Sequence, residues 1–174
     1  VAYVMREGGQ LSLWIRQVGT TNNIQIVPPA NIGIGRETFS PDGNYIYYQA
    51  RDKQNPEGIL WQVPTFGGVP RKITSHITSP IAFSPDGSRF AFIRNDNTAT
   101  GEDQLMIANA DGSNEKKLAV RKGDTIFSVG GLSWSPDGKL LGCPAGSYAG
   151  GFHFAVVTVD VATGEQKEIS NKRF

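Results

Sequence analysis

Three copies of one short phrase punctuate the chain: Phe39-Ser40-Pro41-Asp42-Gly43, Phe83-Ser84-Pro85-Asp86-Gly87 and Trp134-Ser135-Pro136-Asp137-Gly138. A phrase that recurs every ~45–50 residues marks a chain built from stacked copies of one supersecondary unit. Such units cannot bury their apolar faces alone, so each must lie against a neighbour. The scaffold is thereby constrained, while any function falls to the connections between strands.

Composition narrows the function classes. The 174 residues, 39% of them hydrophobic, are enough for a sizeable core. The longest apolar stretch, Phe154 to Val159, is broken by Thr158 and falls far short of the ~20 residues of a spanning helix. Direct membrane insertion is therefore not expected. Seventeen basic residues face sixteen acidic ones, so the concentrated positive field that nucleic acid demands is missing. Cys143 is the sole cysteine, which excludes an internal disulfide and a cysteine-rich metal site. The chain opens at Val1 inside a strand-like run, which reads as a piece of a longer protein.

Each phrase leads into the same series of segments. Tyr45-Ile46-Tyr47-Tyr48, Phe90-Ala91-Phe92-Ile93 and Leu140-Leu141-Gly142-Cys143 come first. A polar or glycine-rich loop follows, then Ile59 to Val63, Gln104 to Ala108 and Ala155 to Val159, in which Trp61, Met106 and Val157 are equivalent. A tight turn and a short basic strand (Arg71-Lys72-Ile73, Lys116-Lys117-Leu118, Lys167-Glu168-Ile169) complete the unit. Short apolar runs between turn residues are strands. Four strands per repeat, with no helical periodicity, predict an all-β chain of four-stranded antiparallel β-propeller blades. Ala2 to Met5, Leu11 to Ile15 and Ile24 to Val27 fit the last three strands of the unit, so the chain holds four blades, the first lacking its innermost strand. The blades span approximately 1–29, 36–75, 79–120 and 130–171, within a single domain or fragment, and strands are lettered A to D from the axis outward.

The phrase is a turn with a physical rationale. Pro41, Pro85 and Pro136 preset φ, Asp42, Asp86 and Asp137 suit the next position, and Gly43, Gly87 and Gly138 tolerate positive φ. The three aspartates are expected to accept local backbone N–H groups rather than to form a ring of ligands. Phe39, Phe83 and Trp134 are expected to pack between blades.

The phrase, its aromatic second strand and the outer hairpin Asn109-Ala110-Asp111-Gly112-Ser113 resemble the TolB-like propeller repeats, relatives of WD-type repeats that lack the Trp-Asp dipeptide. The resemblance covers essentially the whole chain and is specific for the blade, not for an activity. Similar repeats occur in TolB, in propellers of prolyl-oligopeptidase-like serine peptidases, and in sensor regions of bacterial receptors and kinases. Leu13 to Val18 and Gln62 to Gly68 are most similar to the sensor group. The resemblance implies a ring of six to eight blades, completed by further chain or by a second copy, and an extracytoplasmic setting, periplasmic or extracellular.

Topology sends the short A–B and C–D turns to one end of each blade. The longer B–C connections (51–58, 95–103, 144–152) and D–A connections (28–36, 75–79, 120–131) leave the other end. Long loops on a rigid scaffold are the default binding surface, which makes Arg51, Lys53, Asp96, Arg121, Tyr148 and Phe152 the candidate contact residues. Sharper motifs fail. Ala145-Gly146-Ser147-Tyr148-Ala149 lacks both glycines of a nucleophile elbow. Gly33-Ile34-Gly35 lacks the third glycine and the helix of a dinucleotide site. The run from Asp96 to Gly101 opens like a calcium loop but meets Ile107 where an acid belongs. His76 and His153 are too few for a lyase-type axial metal site, and Cys143 reads as a packed apolar residue.

The expectation is a non-catalytic recognition scaffold with a protein partner, no cofactor and no metal. The alternative is the substrate-gating propeller of a serine peptidase. Terminal blades expose faces and edges that favour association, so the chain is expected to self-associate, for example as two copies closing an eight-bladed ring. A strictly monomeric mass in sedimentation at micromolar concentration would overturn that.

Overall fold

The computed structural model describes residues 1–95 and 101–170, so the Asp96 candidate lies outside the described residues. Its strands group into two compact units, Val1–Ile77 and Thr78–Phe174, and each is considered by itself.

The first unit holds two blades. β1 (Ala2–Glu7), β2 (Gln10–Arg16) and β3 (Asn23–Ala30) form a three-stranded antiparallel sheet without an inner strand. β4 (Gly33–Phe39), β5 (Tyr45–Arg51), β6 (Ile59–Pro64) and β7 (Arg71–Ser75) form a four-stranded sheet in chain order. Period-2 alternation puts Leu13 and Ile15 on one face of blade 1 and Ile46, Tyr48 and Val63 on one face of blade 2. These residues share one buried cluster, with Val4, Ile34 and Trp61 packed against it.

The 28–36 segment is strand rather than loop, since β3 continues to Ala30 and β4 starts at Gly33. Register shifts in the β2–β3 pairing absorb Pro28 and Pro29. They sit in an outermost strand, where the missing proline N–H costs no ladder bond.

The second unit repeats the plan. β8 (Ala82–Phe83), β9 (Arg89–Asn95), β10 (Glu102–Asn109) and β11 (Lys116–Lys122) make blade 3. Its two-residue inner strand is extended by side chains: the Ser79 hydroxyl accepts from Ile93 N at 2.8 Å and the Thr78 hydroxyl accepts from Asn95 N at 3.1 Å. Blade 4 has its inner strand in two pieces, β12 (Thr125–Phe127) and β13 (Ser133–Trp134), both paired to β14 (Leu140–Ser147), followed by β15 (His153–Asp160) and β16 (Gln166–Glu168).

Half of the 120–131 connection is thus strand. β11 runs to Lys122, and β12 is held where Phe127 N donates to Asp103 Oδ2 at 2.9 Å. The 144–152 connection shrinks likewise, because Pro144 to Ser147 are strand paired with β15. Ala91, Ile93, Leu105, Ile107, Leu141 and Val157 belong to one buried cluster filling the space between blades 3 and 4.

Equivalence within the repeat is literal. Five residues beyond each turn glycine, Tyr48 faces Trp61, Phe92 faces Met106 and Cys143 faces Val157 across the central strand pair. Trp134 packs between blades as expected, its indole donating to Ala82 O at 2.8 Å. Phe39 does not. It is 37% exposed, because blade 1 has no inner strand for it to rest on.

The three turns share one hydrogen-bond pattern. Ser40, Ser84 and Ser135 donate from Oγ to Oδ1 of Asp42, Asp86 and Asp137 at 2.5, 2.5 and 2.6 Å. Each serine Oγ also accepts the N–H five residues on (Tyr45, Arg89, Leu140) at 2.9, 3.0 and 2.9 Å. Each Oδ1 accepts the N–H two residues on, and the glycines take φ of 73°, 70° and 69°. The Ser84 hydroxyl first, then the Ser88 backbone N–H, hold the Asp86 carboxyl at about 2. The aspartates are thereby committed to the turn.

Ser84 is buried, at 2% exposure. Ser84→Ala strands buried backbone partners and is expected to lower unfolding free energy by about 1–2 kcal/mol. Ser40→Ala, in the more open copy of the turn, is expected to cost less. Denaturant unfolding of the two variants side by side measures the difference.

Candidate functional site

In the first unit the B–C connection leaves β5 as an Asx turn. Asp52 Oδ1 accepts the N–H groups of Gln54 and Asn55 at 2.8 and 2.6 Å and the Asn55 side-chain amide at 3.0 Å. The Asn55 backbone N–H foremost, then its side-chain amide, hold the Asp52 carboxyl below the usual carboxylate range. Asp52 is therefore ionised at neutral pH, and no ion pair among the described residues engages it.

Beside it lies a cleft of about 420 Å³ lined by Ile32, Tyr48, Ala50, Asp52, Ile59 and Trp61, with Pro70 at its margin. Its construction follows from the pleat: Tyr48, Ala50 and Asp52 alternate onto one face, and Tyr48 and Ala50 stand opposite Trp61 and Ile59 on β6. Burial pushes the Tyr48 phenol up to about 12. Neither the Tyr48 hydroxyl nor the Trp61 indole N–H has a hydrogen-bond partner among the described residues. The cleft therefore offers an aromatic lining, two unengaged donors and one carboxylate.

A second cleft of about 390 Å³ adjoins the same connection and is polar. Glu57 and His76 line it with Lys72, and His76 Nε2 lies 3.2 Å from Glu57 Oε2. His76 takes φ of 56°.

Of the candidates in this unit, Lys53 is exposed in the Asx turn. Arg51 alternates away from the aromatic cleft. Its Nη2 donates to Gln49 Oε1 at 3.4 Å, and its Nε is buried without a partner among the described residues.

In the second unit, the B–C end of blade 4 carries a run of exposed rings. Tyr148 and Phe152 are 55% and 51% exposed, with ring centroids 4.9 Å apart. Phe152 meets Phe154 edge-on at 4.7 Å. Gly146 permits this, because a Cβ there would come within 2.9 Å of Ile126 and 3.3 Å of Phe152.

Arg121 is a strand residue, not a loop residue. It lies on β11, donates from Nε to Gln166 Oε1 at 3.0 Å and sits 5.3 Å from the Phe127 ring. Burial lowers its pKa. Through its bond to Gln166, Arg121 ties blade 3 to blade 4. The structure brings Tyr148 and Phe152 together, whereas Arg121 lies on β11 beside Phe127 and Gln166.

His153 Nδ1 lies 3.0 Å from Gly151 O. Among the described residues no three His, Cys, Asp or Glu side chains cluster to hold a metal ion. Ser147 is a strand residue whose hydroxyl accepts Ala149 N at 3.2 Å, a turn cap rather than the tip of an elbow.

Comparison with known proteins gives the architecture a context. No family model matches the sequence. TolB from Acinetobacter baumannii superposes with a TM-score of 0.71 at 21% identity, over 98% of this chain and 41% of that one. The fold is that of a TolB-like β-propeller. Oligogalacturonate lyase from Vibrio parahaemolyticus gives a TM-score of 0.64 at 14% identity, over 97% of this chain and 48% of that one. Among curated proteins, dipeptidyl-peptidase 5 from Aspergillus fumigatus is 24% identical over 143 aligned residues, 71% of this chain. The chain spans 20% of that peptidase and less than half of the TolB and lyase chains. One blade plan thus serves TolB, a peptidase and a lyase, so the TolB-like fold leaves chemistry to the loops.

Sequence reasoning singled out Arg51 and Lys53 but missed Asp52, Tyr48 and Trp61. The alternation of Tyr48, Ala50 and Asp52 was the available signal, hidden because both aromatics also read as core.

Cys143 is 2% exposed, and burial pushes its thiol up to about 11. At pH 7–8 the folded chain is expected to resist thiol reagents, with labelling appearing only as the chain unfolds. Thiol-labelling rates measured across a denaturant series check this, and fast labelling of the native protein contradicts it.

Proposed function

We propose that the chain is a non-catalytic recognition scaffold, whose TolB-like blades present B–C and D–A connections to a protein partner. The observation that carries this reading is the exposed ring run Tyr148, Phe152 and Phe154 at the B–C end of blade 4. Aromatic side chains that stay together in solvent are the residues most enriched as anchors of protein interfaces. A sensor region of an extracytoplasmic protein is the setting in keeping with the repeat resemblance.

A second reading is the accessory propeller of a serine peptidase, supported by the 24% identity to dipeptidyl-peptidase 5. The parent gene discriminates the two readings, since a hydrolase domain encoded after Phe174 would favour the peptidase.

Association of blades is part of the proposal. In blade 3 the register positions that face the next blade, Ala91, Ile93, Leu105 and Ile107, are fully buried. The equivalent face of blade 4 leaves Leu140 and Val156 38% and 39% exposed. By the logic of the repeat, that face takes a further blade, supplied by more chain or by a second copy.

A photo-reactive amino acid at position 152, introduced into the parent protein in its native host, tests the recognition reading. One discrete adduct is expected, with none from the same probe at Val69, which is 88% exposed and belongs to the first unit. Equal labelling from both positions would overturn it.

A further inference from the structure

From the cleft beside Asp52 we infer that the first unit binds an organic cation with an apolar stem: a primary ammonium or guanidinium, as carried by lysine, arginine or an alkylamine. This deepens the recognition reading and rests on it for biological purpose, though the binding itself does not. The argument is one of complementarity.

The cleft of about 420 Å³ lies within the size range of small-ligand sites. Its walls, Ile32, Ala50 and Ile59, offer nothing to a polar ligand body. Tyr48 and Trp61 stand opposite each other on adjacent strands, and indole and phenol faces attract cations through their quadrupoles. Asp52 supplies the sole charge in the lining.

That charge lacks compensation. Asp52 Oδ1 is taken by the turn, which fixes the carboxylate in place, while no basic side chain is paired with it among the described residues. The basic neighbours lead elsewhere. Lys72 lines the polar cleft of Glu57 and His76, Arg51 turns to Gln49, and Lys53 stands exposed. A neutral polar ligand such as a sugar would find one acceptor group and mostly hydrocarbon. A cation with a hydrocarbon stem satisfies both parts at once.

The test uses the whole chain and three probes with the same four-carbon stem: Nα-acetyl-lysine methylamide, Nα-acetyl-norleucine methylamide, which lacks the ammonium, and n-butylammonium. Binding is followed by NMR at the Trp61 indole N–H, assigned by its loss in Trp61→Phe. The lysine probe is expected to bind roughly tenfold or more tightly than the norleucine probe. Asp52→Asn keeps the Oδ1 acceptor of the turn and removes the charge. With its melting temperature unchanged, it is expected to bring the two probes within about twofold of each other.

Binding of n-butylammonium with the same dependence on Asp52 identifies a free amine as sufficient. Binding of the capped lysine alone places the amine on a polypeptide. Either result supports the assignment. Norleucine matching lysine, or no cation shifting the Trp61 indole, overturns it. The crosslink at position 152 lies in the other unit, so its discrete adduct would survive such a result and leave the recognition reading standing.

Discussion

Three of the four blades depend on the serine–aspartate hydrogen bond inside their repeated turn. The serine Oγ donates to the aspartate and accepts the N–H five residues on, so one side chain closes both the turn and the first rung of the A–B hairpin. Proline and a glycine at φ near 70° make that closure cheap in conformational terms. Once strand B leaves the turn in a fixed register, the alternation of its side chains is set. A slip by one residue would send Tyr48, Phe92 and Cys143 to the wrong face of their blades.

The same alternation generates both the core and the candidate site. Ile46 and Tyr48 look toward blade 1 and fill its apolar face. Two residues further, the row runs out through Ala50 to Asp52, where packing ends and the Asx turn begins. The row therefore passes from core to cleft without a change of direction. Tyr48 belongs to both, which explains how a core-facing phenol is left without a hydrogen-bond partner at the edge of a cavity. In blade 4 the corresponding row is Leu141, Cys143 and Ala145. Its loop instead doubles back over Gly146, and the rings of Tyr148 and Phe152 meet outside, tilted by 39°.

The failures of sequence reasoning have a common cause. The segments 28–36 and 120–131 carry proline, glycine and polar residues and so read as loops. The first is largely strand and the second half strand, because tertiary partners supply what local propensity lacks. Register shifts accommodate Pro28 and Pro29 in an outer strand, and the Asp103 carboxylate anchors Phe127 N from the neighbouring blade. Arg121 shows how that misreading moves a side chain. It lies on a strand, where it holds Gln166 and covers Phe127.

The recurrence of Ser-Pro-Asp-Gly and the alternating runs after it were sufficient, alone, to determine the four-bladed plan, the missing inner strand of blade 1 and the central strand pairs. These are consequences of local turn chemistry and period-2 patterning, which a chain carries in its own order of residues. Only the tertiary structure decided which exposed groups stand together. Asp52 meets Trp61 across one cleft, and Tyr148 meets Phe152 and Phe154 on one rim. Charge without a counter-ion and rings without a cover depend on what the rest of the fold leaves unfilled, and no stretch of sequence records that.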